Sequence, residues 1–140
     1  MQLDVRGPRF AAAITTVVLI VIALTRSGWL AAAQAVVFAI GALSAKHAPY
    51  GALFRTLVAP RLRPAAEFEP AEPVRFAQGV GFVFAAVAAI GFLAGSTAVG
   101  LVATACALIA AFLNAAFGLC LGCEAYLLLR RTFTRATPTP

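Results

Sequence analysis

Between Arg75 and Glu124 the chain runs for 48 consecutive residues without a charge. One helix needs about 20 apolar residues to cross a bilayer, so this run holds two, with Gly95-Ser96-Thr97 as the natural break between them. The remainder agrees: 62% of the 140 residues are hydrophobic, 11% are charged and the mean hydropathy is +0.94. Those values lie outside the range of soluble globular domains and describe an integral membrane protein.

A formal net charge of +6 raises the question of nucleic acid. The basic residues, however, are not interleaved with aromatics on one face; they close off apolar runs, as charges that orient spans do. The expected partner is the lipid bilayer, with no nucleic acid. Four spans follow, at about residues 9–25, 29–45, 75–94 and 98–123. Only 16 uncharged residues separate Arg9 from Arg26, so the first span needs snorkelling arginines or local thinning. It reads as a retained helix and not a cleaved signal, because further spans follow it. Arg26-Ser27-Gly28 is the expected turn, Trp29 suits the interface and Lys46 stops the second span.

The loop 46–74 has two parts. Tyr50, Leu53, Phe54, Leu57 and Val58 recur at helical spacing, which predicts a short amphipathic helix ended by Pro60. It either lies on the membrane, with Arg55, Arg61 and Arg63 facing headgroups, or docks against the protein's own helices. Residues 64–73 then form an acidic, proline-rich strap expected to be extended, its glutamates pairing with nearby arginines. Four spans place ten of the eleven basic residues on one side, namely Arg6, Arg9, Lys46, Arg55, Arg61, Arg63, Arg75, Arg130, Arg131 and Arg135, and leave Arg26 opposite. The positive-inside rule therefore puts both termini and the loop on the cytoplasmic side of the cell's inner (plasma) membrane, with a frayed tail within residues 130–140. Arg9-Phe10-Ala11 recurs as Arg75-Phe76-Ala77, a faint repeat that aligns Tyr50 with Tyr126 and Ser44 and His47 with Cys120 and Cys123. The expected fold is all-α: a four-helix membrane bundle of two tandem hairpins, with the amphipathic helix in the central cytoplasmic loop.

Chemistry concentrates in Gly118 to Tyr126, where Cys120-x-x-Cys123 is followed directly by Glu124. On a helix the three share a narrow face, and a carboxylate beside a membrane helix is costly unless paired or used. Thiol–disulfide exchange needs an attacking thiolate, a resolving thiol and a proton route, which Cys120, Cys123 and Glu124 can supply. Continued straight from Val99 to Leu129, the last span would measure roughly 46 Å against a core of about 30 Å. It either tilts and protrudes or bends at Gly118 and Gly122. Only a break at Gly118 sets the cysteines at a helix N-terminus, where the backbone field favours a thiolate. Cys106 is roughly 21 Å upstream along a helix and reads as packing. Competing with exchange are thiols that only pack, a soft-metal set of Cys120, Cys123 and His47 with Glu124, a four-sulfur site across a homo-oligomer, and a transport role. No cofactor motif is present.

Three stretches together resemble a bacterial, largely actinobacterial, membrane family known as domain of unknown function 4395. They are Gly7-Pro8-Arg9-Phe10, the centre from Pro60-Arg61-Leu62-Arg63-Pro64 to Pro73 through Gly81, and Phe117 through Tyr126. The last is the most specific. The resemblance spans nearly the whole chain, implies an intact four-span protein, puts Cys120, Gly122, Cys123 and Glu124 forward as the shared feature, and implies a thioredoxin-like or sulfurtransferase partner. The reading is thiol–disulfide redox or sulfur relay through the cysteine pair, against a membrane scaffold or metal-binding subunit without turnover.

Overall fold

The computed structural model describes residues 2–64 and 66–136, with side chains to residue 132. The Arg135 side chain and the tail 137–140, expected as cytoplasmic charge and frayed end, lie outside the described residues. The chain is helical apart from one small ribbon. Its helices are α1 (Arg6–Thr25), α2 (Gly28–Leu43), α3 (Pro49–Leu53), α4 (Ala71–Leu93), α5 (Thr97–Phe117) and α6 (Leu121–Ala136). Three of them, α1, α4 and α5, are long and apolar enough to cross a membrane, and the 16-residue α2 is apolar but shorter. Leu24, Trp29 and Ile90 are each at least 66% exposed, which suits side chains that face lipid.

Turn chemistry sets the first connection. Arg26 closes α1 in a left-handed conformation, and the Ser27 hydroxyl caps α2 by accepting the Leu30 N–H at 3.1 Å. Gly28, expected in the turn, is instead the buried first residue of α2, where a Cβ would come within 2.6 Å of Leu93 Cγ. Helix α2 packs on α4, α1 packs on α5, and α4 packs on α5, while α1 and α2 touch little beyond their turn. Two arginines hold these cross-contacts from the opposite end. Arg75 donates to the Ala42 and Leu43 carbonyls, both at 3.0 Å, and Arg9 donates to the Ala115 carbonyl at 3.3 Å. Each satisfies carbonyls that the last turn of a helix leaves open.

The core is densest at the end bearing the α1–α2 and α4–α5 turns, where Leu19, Ile22, Ala31, Ala88, Ala89, Ala103 and Ala107 form one cluster. Alanine there lets helix backbones approach closely.

The central loop differs from a single amphipathic helix. After a short 3-10 turn at Ala45–His47, α3 lasts five residues and gives way to a π turn at Phe54–Val58 and a 3-10 turn at Ala59–Arg61. Docking explains the break. Phe54 is 3% exposed and lies 5.7 Å from the Phe10 ring, and the Tyr50 hydroxyl donates to Gln34 Oε1 of α2 at 2.7 Å. Leu53 and Leu57 stay exposed beside Arg55, so the segment is half docked and half outward-facing. Arg61 and Arg63 are exposed as well.

Part of the strap is extended, but as a strand: β2 (Phe68–Pro70) pairs antiparallel with β1 (Gln2–Asp4), Leu3 opposite Glu69. Asp4 holds Arg6 through its guanidinium and its backbone N–H, with a shortest contact of 2.7 Å, and this lowers the Asp4 carboxyl below its usual range. The expected pairing of Glu67, Glu69 and Glu72 with arginines does not occur among the described residues, because the ribbon turns Glu67 and Glu69 toward the helices. Helix α4 begins at Ala71, ahead of the expected start at Arg75, with Pro73 tolerated in its first turn.

A close backbone approach between α4 and α5 supplies a test. A Cβ on Gly91 would lie 2.7 Å from the backbone nitrogen of Gly100, which cannot rotate away. Gly91→Ala is expected to cost about 1–3 kcal/mol through separation of α4 from α5, read as a lower thermal midpoint of the purified protein in detergent.

Candidate functional site

The over-long last span is broken. Helix α5 ends at Phe117, and Gly118 takes φ 69° and ψ 13°, the left-handed conformation that costs glycine nothing and other residues about 1–2 kcal/mol. Its N–H returns to the Asn114 carbonyl at 3.0 Å, and that of Leu119 to Leu113 at 3.2 Å. Two residues after Gly118 a new helix is capped. Cys120 stands just before α6, its carbonyl accepting the Glu124 N–H at 3.0 Å and its Sγ accepting the Cys123 N–H at 3.1 Å. A sulfur thus occupies the place usually taken by a serine or aspartate oxygen at a helix start.

Cys120 and Cys123 are joined in a disulfide with their Cα atoms 5.1 Å apart. Both are half-buried. Helix α6 is directed onto α4: Gly122 sits where a Cβ would lie 2.6 Å from Ala77 Cα, and the Tyr126 ring is 5.7 Å from that of Phe76. The chain remains helical to Ala136, so the residues expected as a tail from Arg130 begin as helix.

Below the cysteines is a cavity of about 580 Å³ between α1, α4 and α5, which reaches the alanine cluster at Ala107. Cys120 and Cys123 line it, as do Glu67 and Glu69 from the strap, Gln78 from α4, Asn114 from α5 and Arg9 from α1. The other walls are mainly apolar, including Val80, Phe84, Ala110 and Ala111. Burial pushes the Glu69 carboxyl above the ordinary glutamate range, because lost hydration disfavours its charged form.

The sequence-predicted residues divide accordingly. Cys120 and Cys123 are together at the cavity, whereas Glu124 is exposed in the first turn of α6 and does not line it. His47 is exposed and its Nδ1 lies 2.8 Å from the Ser44 hydroxyl, also outside the cavity. Among the described residues no three His, Cys, Asp or Glu side chains gather as a metal set. Cys106 is a free, exposed thiol that lines the same cavity, not a packed core residue. Arg9 and Arg75 cap helix ends, Arg55 donates to the Lys46 carbonyl, and Arg131 is exposed. Arg130 lies in the same exposed stretch of α6.

Sequence reasoning missed Glu67 and Glu69 as cavity residues, since strand pairing across more than sixty positions brings them there. It also passed over Gln78 and Asn114, although a signal existed: they are the two carboxamides within the uncharged run of 48 residues, and polar side chains inside spans are seldom idle.

Glu69 gives a pH test. A carboxyl raised on folding binds its proton more tightly in the native state, so stability falls as pH rises through the carboxylate range. Glu69→Gln is expected to leave the thermal midpoint unchanged at pH values where Glu69 is protonated in both states and to raise it at neutral pH, measured as the difference between wild type and variant across pH.

A family model described as Domain of unknown function (DUF4395) matches residues 3–131. No curated protein and no solved structure matches the chain. The family match runs from β1 through the cysteine pair and the first half of α6, and the chain therefore belongs to the DUF4395 family.

Proposed function

We propose that this is a four-span protein of the bacterial inner membrane, two tandem helical hairpins forming one bundle, whose Cys120–Cys123 pair performs thiol–disulfide exchange at the cytoplasmic face. The observation that carries the proposal is the position of the pair: a disulfide at the start of a helix, opening on a cavity with two carboxylates. Helix N-terminal amides stabilise negative charge on sulfur, so Cys120 is the attacking group and Cys123 the resolving one. The Cys120 thiolate attacks a partner disulfide and forms a mixed disulfide as one partner sulfur leaves. Cys123 then attacks Cys120 Sγ, closing the internal disulfide and releasing the partner's second thiolate; the pair is oxidised and the partner reduced, reversibly.

Topology supports the assignment of sides. The cysteine end of the helices also bears Arg9, Arg75 and the basic loop, whereas Arg26 is at the opposite turn, a distribution that by the positive-inside rule favours the cytoplasm for the pair and both termini. A soluble thioredoxin-like or sulfurtransferase protein is a suitable partner, since Glu124 and the first turn of α6 are exposed where it would dock.

Two measurements test this. The purified protein equilibrated in glutathione buffers should titrate as one two-electron couple, with a slope of about 30 mV per tenfold change, and lose that couple in Cys120→Ser and in Cys123→Ser. In cells, Cys123→Ser should hold a mixed disulfide on Cys120 that reductant releases. A pair that does not titrate, or that binds zinc or copper stoichiometrically while neither variant traps a partner, gives the site to the metal or scaffold reading. Labelling of the cysteines by a membrane-impermeant reagent from outside intact cells would overturn the cytoplasmic placement.

A further inference from the structure

Thiol exchange explains the cysteine pair but not the space beneath it. A volume of about 580 Å³ falls within the roughly 300–1,000 Å³ of small-molecule sites, and it is formed by helices long and apolar enough to lie in a bilayer. From these features we infer that the cavity binds a lipid-soluble quinone, which takes two electrons and two protons from the reduced Cys120–Cys123 pair.

The walls select the ligand class. Val80, Phe84, Ala110 and Ala111 offer apolar surface for a ring and its chain, and both cysteines of the disulfide line the same space. Gln78 and Asn114 also line the cavity, and among the described residues neither carboxamide makes a hydrogen bond. Each can donate N–H to a carbonyl oxygen. A nucleotide-bearing cofactor such as a flavin needs cations for its phosphates, and the single described cation in the lining, Arg9, already holds the Ala115 carbonyl. A neutral quinone makes no such demand.

The chemistry balances without another reactant. Two cysteine thiols lose two electrons and two protons as the S–S bond forms, and the quinone gains the same two electrons and two protons to become a quinol. Glu67 and Glu69 line the same cavity as the two cysteines and can pass the protons. The inference rests on the exchange reading, because the reduced pair must be regenerated by a partner thiol.

The test uses the full chain in lipid nanodiscs, reduced, freed of reductant without oxygen, and mixed with decylubiquinone, whose fully substituted ring is reduced by thiols without taking them up covalently. Wild type should form one quinol per chain and lose two of its three thiols, and Cys120→Ser should form none. Gln78→Leu and Asn114→Leu should each raise the half-saturating quinone concentration about tenfold, the effect of losing roughly one net hydrogen bond. Their oxidation by oxidised glutathione should stay at the wild-type rate, and an unchanged thermal midpoint in the nanodiscs shows that the variants are folded. Oxidation by glutathione disulfide but not by quinone overturns the quinone site and leaves thiol exchange standing, as does quinone oxidation that both leucine variants leave unchanged. Oxidation by neither reagent overturns both.

Discussion

The left-handed residue at Gly118 is the constraint from which the rest of the site follows. A helix can continue through apolar residues indefinitely as far as side chains are concerned, but its last carbonyls must be satisfied when it stops. Here the chain reverses through glycine, the Gly118 and Leu119 amides return to Asn114 and Leu113, and Arg9 takes the Ala115 carbonyl from α1. With those groups satisfied, a second helix can begin within three residues. Cys120 thereby acquires the one position on a helix where backbone amides point at a side chain. Had the helix continued, the same two cysteines would sit one turn apart inside a ladder whose amides are already used.

Arg9 and Arg75 show how the two halves of the chain depend on each other. Each opens the first helix of a pair and caps the second helix of the other pair, Arg9 on α5 and Arg75 on α2. The aromatic contacts follow the same logic. Phe10 meets Phe54 and Phe76 meets Tyr126, with ring centroids 5.7 Å apart in both cases, so the segment after each pair folds back on that pair's first helix. In the first half the returning segment ends in a Ser44–His47 hydrogen bond and a short docked helix, and in the second it is the disulfide and α6. The disulfide-bonded pair occupies the position that a plain hydrogen bond fills in the other half.

Much of this was legible in the sequence because it is local. Apolar runs gave the helices, glycines marked where the last one could bend, and the spacing of Cys120 and Cys123 fixed their mutual reach. The repeat of Arg-Phe-Ala was visible too, although its use as a helix cap was not, because a cap made between distant helices leaves no pattern near the arginine. Glu67 and Glu69 were read as partners for arginines for a similar reason. Their course is set by β1, a three-residue strand at the far end of the chain, and β propensity alone does not predict pairing over that separation. Phe54 illustrates the third limit: helical spacing groups it with Tyr50 and Leu57 on one face, but only packing decides that Tyr50 and Phe54 dock while Leu57 stays outside.

The uneven density of the core is the feature that connects fold to chemistry. At the turn end, alanines and Gly91 bring backbones together and leave no room. Towards the cysteines the side chains of α1, α4 and α5 leave a half-open space bordered by the strap and the start of α6, with the small residues Ala110 and Ala111 in its wall. The disulfide, two carboxylates and two carboxamides without side-chain hydrogen bonds all line that space. Glu69 lines that space, whereas Glu124, one residue past Cys123, is exposed in the first turn of α6 and does not line it, so the two carboxylates offered to the proposed exchange differ in their access to water.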